Sequence, residues 1–248
     1  IDAFVFDDGG QLYISWKAYG LDSRPIEIVA AKLSQDGLSL ESEPFTLLVD
    51  EEGIGIEGQC HLKIGEYYYL IYAARGCCGP GSDYEVRVAR ADSFLGPYEN
   101  CPVNPILEGG DGDFISCGHG TVVYGDDGRM FYMCHAYKKG AEFFMGRQPV
   151  IHELELDDDG WLSFVNGDIA LSEQKVPCRG VKQKAKEGFY DDFDASEQSP
   201  EWTWNYPYAD VSAVTNDGKL YLSGKPFNGN RYGTAYCVRA RAPRYSIE

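Results

Sequence analysis

The sequence contains no long hydrophobic run and no paired cysteine motif, and its basic residues are few. No stretch approaches the roughly 18 consecutive apolar residues of a membrane-spanning helix, and no signal peptide is visible. Only 22 basic residues face 39 acidic ones, a formal net charge of -17. Such a chain repels phosphate backbones and anionic membranes. We therefore expect neither nucleic acid nor a membrane as partner. The acidic charge suits a neutral or cationic ligand or a metal ion, and the alternative is that it serves solubility alone.

The eight cysteines include no CxxC pair, so the ligand spacing of a zinc ribbon is absent. Cys77 and Cys78 are adjacent and able to form a vicinal disulfide, but we expect two reduced thiols. The cysteine count permits secretion without requiring it.

Strand and turn signals dominate the chain, and no amphipathic helix of convincing length is present. Four segments share one pattern, in which a short apolar run and a Gly-containing turn lead into alternating aromatic residues. Gly between two such runs, especially as Asp-Gly, predicts a β-hairpin. The four segments are Val5–Trp16, His61–Tyr72, Val122–Met133 and Ala213–Leu222.

The spacing of these hairpins indicates repeated units. Gly9, Gly65 and Gly128 are 56 and 63 residues apart, whereas Gly218 follows 90 residues later and breaks the period. Three similar units of about four strands each are typical of propeller blades. A β-sandwich with long loops is the alternative. The fourth hairpin belongs to something else.

Three residues recur at the same point of these units. Asp2, Glu57 and His119 each lie where the innermost strand of a blade is expected, at separations of 55 and 62 residues. Because innermost strands surround the propeller axis, these side chains are expected to meet at one central site. Glu57 and His119 have glycines close by, which allow the backbone to pack tightly around them.

The chain changes character towards its C-terminus. We expect a partial propeller over residues 1–171, a polar linker over 172–189, and the N-terminal part of a β-sandwich over 190–248.

Taken together, these segments resemble glycoside hydrolase family 43, whose members are five-bladed β-propellers that remove xylose or arabinose from plant polysaccharides with inversion. About three blades are present on this reading. Two positions depart from the family motifs, because Ala3 replaces a proline and Gln59-Cys60 replace Pro-His. The residues that carry the resemblance are Ile1-Asp2-Ala3, Phe6-Asp7-Asp8-Gly9, Gly55-Ile56-Glu57-Gly58, Tyr67-Tyr68-Tyr69-Leu70, Tyr84-Glu85-Val86, Ala89-Arg90, Gly96-Pro97-Tyr98-Glu99, Gly118-His119-Gly120, Gly146-Arg147, and, for the following sandwich, Tyr190-Asp191-Asp192-Phe193-Asp194 with Trp202-Thr203-Trp204.

The resemblance implies a role for each site residue. Glu57 is the general acid, with a pKa raised by burial or a nearby carboxylate so that it is neutral at working pH. Asp2 modulates that pKa and positions the acid. Arg147 hydrogen-bonds the sugar. His119 helps to hold a central metal ion or water; no cofactor is required, and Ca²⁺ is the ion considered there.

An inverting enzyme also needs a carboxylate base about 6.5–9.5 Å from the acid. In the family this base precedes the motif that contains Asp2, so we expect it upstream of Ile1, which is then a cut or processing site. Asp111 and Asp113 are the weaker alternatives. Residues 1–248 alone are accordingly expected to catalyse poorly.

The implied function is inverting hydrolysis of terminal xylosyl or arabinofuranosyl residues in oligosaccharides or polysaccharides. The alternatives are a non-catalytic carbohydrate-binding propeller fragment and a retaining propeller of the invertase-like families. A secreted or periplasmic location is expected, with a cytoplasmic one left open.

Overall fold

The computed structural model describes residues 2–19, 23–141, 145–175, 188–195, 197–204, 211–225, 235–238 and 246. Within these ranges the regular elements are all strands, so the predicted all-β class is confirmed. No helix in the described part of the chain has the length and apolar character needed to cross a bilayer.

Three four-stranded antiparallel sheets follow one another along the chain, each with its strands in sequence order. These sheets are the blades that the repeat predicted. The first blade contains β1 (Phe4–Asp8), β2 (Gln11–Ala18), β3 (Glu27–Leu33) and β4 (Phe45–Val49); the second contains β5 (Ile56–Ile64), β6 (Tyr67–Ala74), β7 (Glu85–Ala91) and β8 (Glu99–Asn100); the third contains β9 (Phe114–Tyr124), β10 (Met130–Lys138), β11 (Gln148–Leu156) and β12 (Leu162–Phe164).

All four predicted hairpins are present, including the fourth, which joins β14 (Val211–Asn216) to β15 (Lys219–Gly224). Its turn residues Asp217 and Gly218 both have positive φ, 53° and 67°. Two consecutive left-handed residues form the tight turn whose twist matches antiparallel strands. The Asp-Gly pair therefore fixes this hairpin locally.

Strand β6 is buried on both faces because the second blade lies between the other two. Its alternate residues Tyr69 and Ile71 pack in a core with residues of the third blade, such as Tyr132. Tyr68, Leu70 and Tyr72 pack instead with residues of the first blade. This arrangement explains why β6 is almost continuously apolar, since a strand covered on both faces has no side that favours polar residues.

The chain divides into two compact units, residues 1–179 and 180–248. In the second unit β13 (Trp202–Trp204) pairs with β16 (Tyr236–Val238), and β14 pairs with β15. The exact domain limits and the sandwich remain predictions. Most of the expected linker, together with Cys178, lies outside the described residues.

The cysteine prediction needs one correction. Cys77 and Cys78 are joined as a vicinal disulfide rather than left as two thiols. Both belong to a short loop between β6 and β7, and the backbone of this loop brings the two sulfur atoms within bonding distance. Five other cysteines are free thiols in the described part of the chain, and four of those are buried.

Candidate active site

Asp2, Glu57 and His119 converge, as the blade period predicted. Glu57 lies on β5 and His119 on β9, the first strands of their blades, while Asp2 lies two residues before β1. One side-chain oxygen or nitrogen atom from each residue lies within 4.8 Å of the atoms of the other two. The equivalent positions of three blades thus bring two carboxyl groups and an imidazole together.

The backbone is unusual at Asp2, at His119 and at Gly58, the neighbour of Glu57. Asp2 and His119 have positive φ angles of 63° and 52°, a conformation that costs a non-glycine residue about 1–3 kcal/mol and is concentrated at functional sites. Gly58 has a φ of 60°. A Cβ at Gly58 would lie 2.7 Å from Cγ of His119, so only glycine allows the two strands to approach this closely.

Glu57 is held by two side chains that the sequence analysis did not assign. Lys17 Nζ donates to Oε2 and Tyr84 Oη donates to Oε1, both at 2.8 Å. Burial raises the pKa of Glu57, but the hydrogen bonds from Lys17 and Tyr84 and the positive charges of Lys17 and His119 outweigh it. The net pKa lies below the ordinary value, so the expected raised pKa of the acid is wrong for this state of the site.

Gln59, one of the two departures from the family motif, holds Asp2 in place. Its Nε2 donates to the backbone oxygen of Asp2 and to that of Ser15, and its side chain is buried. Ser15 Oγ in turn lies 2.8 Å from Nε2 of His61, whose pKa burial lowers to about 3. Neutral, buried side chains that hydrogen-bond one another therefore hold the backbone of Asp2 in place.

Arg147 joins the site indirectly, through His135 and Tyr84. Its Nη1 lies 3.1 Å from Nε2 of His135, and the His135 ring stacks on Tyr84 with a centroid distance of 5.6 Å and an interplanar angle of 11°. Burial, then the charges of Arg147 and His119, lower the pKa of His135 to about 4. The imidazole is therefore neutral near pH 7 and accepts the guanidinium N–H. Arg147 itself is exposed.

The three converging residues were tested as a calcium site. Calcium takes about six to eight oxygen ligands, whereas this cluster offers two carboxylates and a ring nitrogen. Both oxygens of Glu57 already accept hydrogen bonds, one of them from an ammonium group. These side chains alone do not fit calcium as a ligand set. Calcium near His119 stays a prediction.

The weaker base candidates lie elsewhere. Asp113 Oδ2 accepts hydrogen bonds from the backbone N–H of Ser172 at 2.7 Å and from its hydroxyl at 2.6 Å, and these bonds lower its pKa. Asp113 thus ties two loops together. Asp111 is exposed in the same loop.

The residues missed from the sequence had only partial signals. Lys17 shares the inward face of β2 with Tyr13 and Ser15, as their alternating burial shows, so a lysine at this position pointed inward. Tyr84 belonged to a recognised motif, but nothing local showed that its hydroxyl reaches Glu57. His135 carried no such signal.

With the fold and the site described, comparisons with known proteins become informative. A family model described as "Glycosyl hydrolases family 43" matches residues 1–162. The non-reducing end alpha-L-arabinofuranosidase BoGH43B of Bacteroides ovatus is 29% identical over 183 residues, which cover 71% of this chain and 34% of that protein. The probable arabinan endo-1,5-alpha-L-arabinosidase A of Aspergillus clavatus is 29% identical over 141 residues, covering 53% and 39%.

The structural comparison agrees. The crystal structure of the GH43 BlXynB protein from Bacillus licheniformis matches with a TM-score of 0.69 and 28% identity, covering 89% of this chain and 42% of that protein. The chain thus spans less than half the length of these relatives, and its blades are part of a five-bladed β-propeller. Because the family model covers residues 1–162, which include Asp2, Glu57, His119 and Arg147, the chain belongs to glycosyl hydrolase family 43.

Proposed function

We propose that the protein hydrolyses terminal xylosyl or arabinofuranosyl residues of plant oligosaccharides or polysaccharides with inversion, with Glu57 as general acid. The observation that carries this proposal is the convergence of Asp2, Glu57 and His119 within 4.8 Å at blade-equivalent positions. Arg147 binds the sugar beside them. A secreted or periplasmic location fits a polymeric substrate.

The short distance between Asp2 and Glu57 supports a modulating role for Asp2 rather than that of the base. An inverting base needs room for a water molecule and lies about 6.5–9.5 Å from the acid. Asp2 is too close to Glu57 to act in that way. Its negative charge instead favours the protonated form of Glu57 and so counteracts the effect of Lys17 on the pKa of Glu57. The base is then a carboxylate outside this cluster.

Proton donation requires Glu57 to leave its ion pair with Lys17. While Nζ stays 2.8 Å from Oε2, the carboxylate is charged and has no proton to give. A sugar bound against Glu57 excludes water and raises the pKa of the carboxyl group, since burial disfavours the charged form. Lys17 then turns towards a sugar hydroxyl or solvent, Glu57 takes up a proton from solvent, and Glu57 transfers that proton to the departing glycosidic oxygen.

The test compares leaving groups. The complete gene product that contains these residues is assayed on xylobiose, on arabinobiose and on the matching dinitrophenyl glycosides. Glu57→Gln removes a general acid worth about 10²–10⁴-fold. The loss should be large on the disaccharide that the wild type cleaves and small on its dinitrophenyl glycoside, whose leaving group needs no proton. The control is Glu66→Gln, an exposed glutamate in the turn of the same blade.

Two results would overturn the assignment. Equal losses on both kinds of substrate, or none, would remove Glu57 from the acid role. Nuclear magnetic resonance of the first-formed product is also decisive, because carboxylates about 5–5.5 Å apart are typical of retaining enzymes. Release of the inverted anomer supports the proposal, and the retained anomer contradicts it. Cleavage of internal bonds of arabinan would show endo-hydrolysis instead of the proposed cleavage of terminal residues.

A second candidate is carbohydrate binding without catalysis, which the Lys17–Glu57 ion pair favours because it keeps the acid charged. Calorimetry with xylobiose and arabinobiose distinguishes the two. Binding with no turnover by the complete gene product supports the binding function, and turnover eliminates it.

A further inference from the structure

The Cys77–Cys78 disulfide lies in the loop between β6 and β7. Cys77 is half-buried and Cys78 is exposed. A disulfide between sequence neighbours cannot tie distant parts of the chain together, so the usual stabilisation by closing a long loop is unavailable to it. What it adds is a local effect, because it closes a small ring that prevents the two side chains from rotating.

The loop that carries the disulfide is firmly held. Asp83 Oδ1 accepts the backbone N–H of Gly76 at 2.8 Å. Ser82 Oγ donates to the backbone oxygen of Gly76 at 2.9 Å and lies 2.8 Å from Ser116 Oγ, from which it accepts. Ser82 and Ser116 are buried, and Ser116 is on β9, the strand of His119. The disulfide is thus fixed relative to the second and third blades.

The exposed sulfur lies beside the residue assigned to sugar binding. Cys78 Sγ is 4.0 Å from Nη1 of Arg147, the same nitrogen that lies 3.1 Å from His135. His135 stacks on Tyr84, whose hydroxyl donates to Glu57. A continuous series of contacts therefore leads from the disulfide to Glu57, with Arg147 confined between sulfur and imidazole.

The chemistry of a disulfide suits this place. A disulfide has no proton to donate and no ionisable group, so it leaves the other N–H groups of Arg147 available for sugar hydroxyls. Sulfur is polarizable and apolar, and binding sites for small molecules combine apolar walls with a few placed polar groups. Two free thiols would rotate and fix neither the wall nor the guanidinium.

We propose that the Cys77–Cys78 disulfide is a positioning element that holds Arg147 and forms an apolar wall against which a pentose ring packs. The proposal deepens the proposed function and rests on the pentose specificity stated there. It adds two residues to the substrate cleft that act through binding and not through proton transfer.

The experiment uses the complete gene product and compares the wild type with the double variant Cys77→Ser/Cys78→Ser. Calorimetry with xylobiose and arabinobiose gives Kd, and steady-state kinetics give KM and kcat. We expect Kd and KM for the preferred sugar to rise about tenfold, equivalent to about 1.4 kcal/mol, while kcat and Tm change little. Cys237→Ser, a free cysteine of the second unit, is the control and should change none of these.

A double-mutant cycle tests the link to Arg147. In an Arg147→Lys background the serine substitutions should raise KM and Kd by less than they do in the wild type, because lysine lacks the planar group that the sulfur confines and only the loss of the apolar wall remains. A reducing agent should weaken binding by the wild type and leave the double serine variant unchanged. Two more reactive thiols in the wild type than in the double serine variant under non-reducing conditions would overturn the proposal, as would unchanged Kd and KM in the double variant.

The two proposals fail in different ways. If the wild type shows no turnover but binds pentoses in a way that depends on the disulfide, the hydrolase proposal is overturned and the proposal for the disulfide stands. If the wild type shows turnover but its KM and Kd do not depend on the disulfide, the hydrolase proposal stands and the proposal for the disulfide is overturned. Absence of both turnover and pentose binding would overturn both.

Discussion

Lys17 Nζ lies 2.8 Å from Glu57 Oε2, in an ion pair that joins the first and second blades and is largely buried, with side chains 8% and 16% exposed. Removing one partner of a buried pair is costly because it leaves the other charge without compensation. The pair also sets the proton affinity of Glu57. A single contact therefore affects both the stability of the propeller and the pH at which its candidate acid is protonated.

Lys17→Met is predicted to shift the alkaline limb of kcat/KM to higher pH. Lys17 and Tyr84 hold the pKa of Glu57 below its ordinary value, and without Lys17 the effect of burial prevails and the pKa rises. A general acid with a higher pKa keeps its proton to higher pH. The measurement is a pH profile on xylobiose or arabinobiose. An unshifted alkaline limb would contradict the prediction.

The same substitution should reduce stability in a pH-dependent way. Because the folded-state pKa of Glu57 is lowered, the pair stabilises the fold above the unfolded-state pKa, and this stabilisation is lost as pH falls through the folded-state pKa. Lys17→Met should therefore cost about 3–5 kcal/mol at pH 7 and less at pH 4. Denaturant titrations at both pH values measure this. Lys63→Met is the control, since Lys63 is 45% exposed in its pair with Asp8 and should cost much less, because solvent screens an exposed pair.

Gln59→Leu is predicted to displace Asp2. The variant keeps the size of the side chain but removes the hydrogen bonds donated to the backbone oxygens of Asp2 and Ser15, leaving buried acceptors unpaired at a cost of about 1–3 kcal/mol. Because Asp2 has a positive φ, it relaxes once released, and kcat falls with little change in KM. Gln35→Leu is the control. Gln35 donates to Gly10 in an exposed turn, and its loss should leave kcat unchanged.

Arg90→Lys should weaken the contact between the second and third blades. The guanidinium lies 4.8 Å from the ring centre of Tyr67 and 3.9 Å from that of Trp161, and Nη1 donates to the backbone oxygens of Asp159 and Gly160 at 2.9 Å each. Lysine cannot stack a planar cation on both rings while donating to both oxygens.

We expect a loss of about 1–3 kcal/mol in the free energy of unfolding for Arg90→Lys, in proportion to the cation–π contacts and hydrogen bonds removed. Arg129→Lys provides the comparison. Arg129 is 41% exposed and pairs with Asp127 and Glu153, so its loss should be clearly smaller, because solvent screens exposed ion pairs. Equal losses in the two variants would show that the aromatic contacts of Arg90 contribute nothing.

The blades were predictable because their signals are local and repeated. Gly9, Gly65 and Gly128 occupy turns with positive φ, and the sequence marks these turns by a glycine between two strand segments. The spacing of the turns places Asp2, Glu57 and His119 at equivalent points. Convergence then follows from the geometry of a propeller, with no need to know which side chains touch.

The partners of Glu57 were not predictable for the opposite reason. Alternation along β2 shows that Lys17 points inward with Ser15, but not which side chain of another blade lies opposite. Lys17 is 40 residues from Glu57, and Tyr84 is 27 residues from it. The lowered pKa of Glu57 depends on both contacts, so motif recognition alone gave it the wrong direction. The disulfide depends likewise on the shape of its loop.

Gly58→Ala and Gly65→Ala together separate the cost of backbone conformation from that of close packing. Both glycines have a φ of 60°, and a side chain in this left-handed region costs about 1–2 kcal/mol. A Cβ at Gly65 meets nothing within 4 Å, whereas at Gly58 it would lie 2.7 Å from Cγ and 3.0 Å from Cα of His119. Gly65→Ala should therefore lose only the conformational cost and keep full activity. Gly58→Ala should lose more stability and at least tenfold in kcat/KM, because β9 must shift and take His119 away from Glu57. Denaturant titration and steady-state kinetics on the two variants measure the difference, and equal effects would show that the approach of the two strands at Gly58 does not position the site.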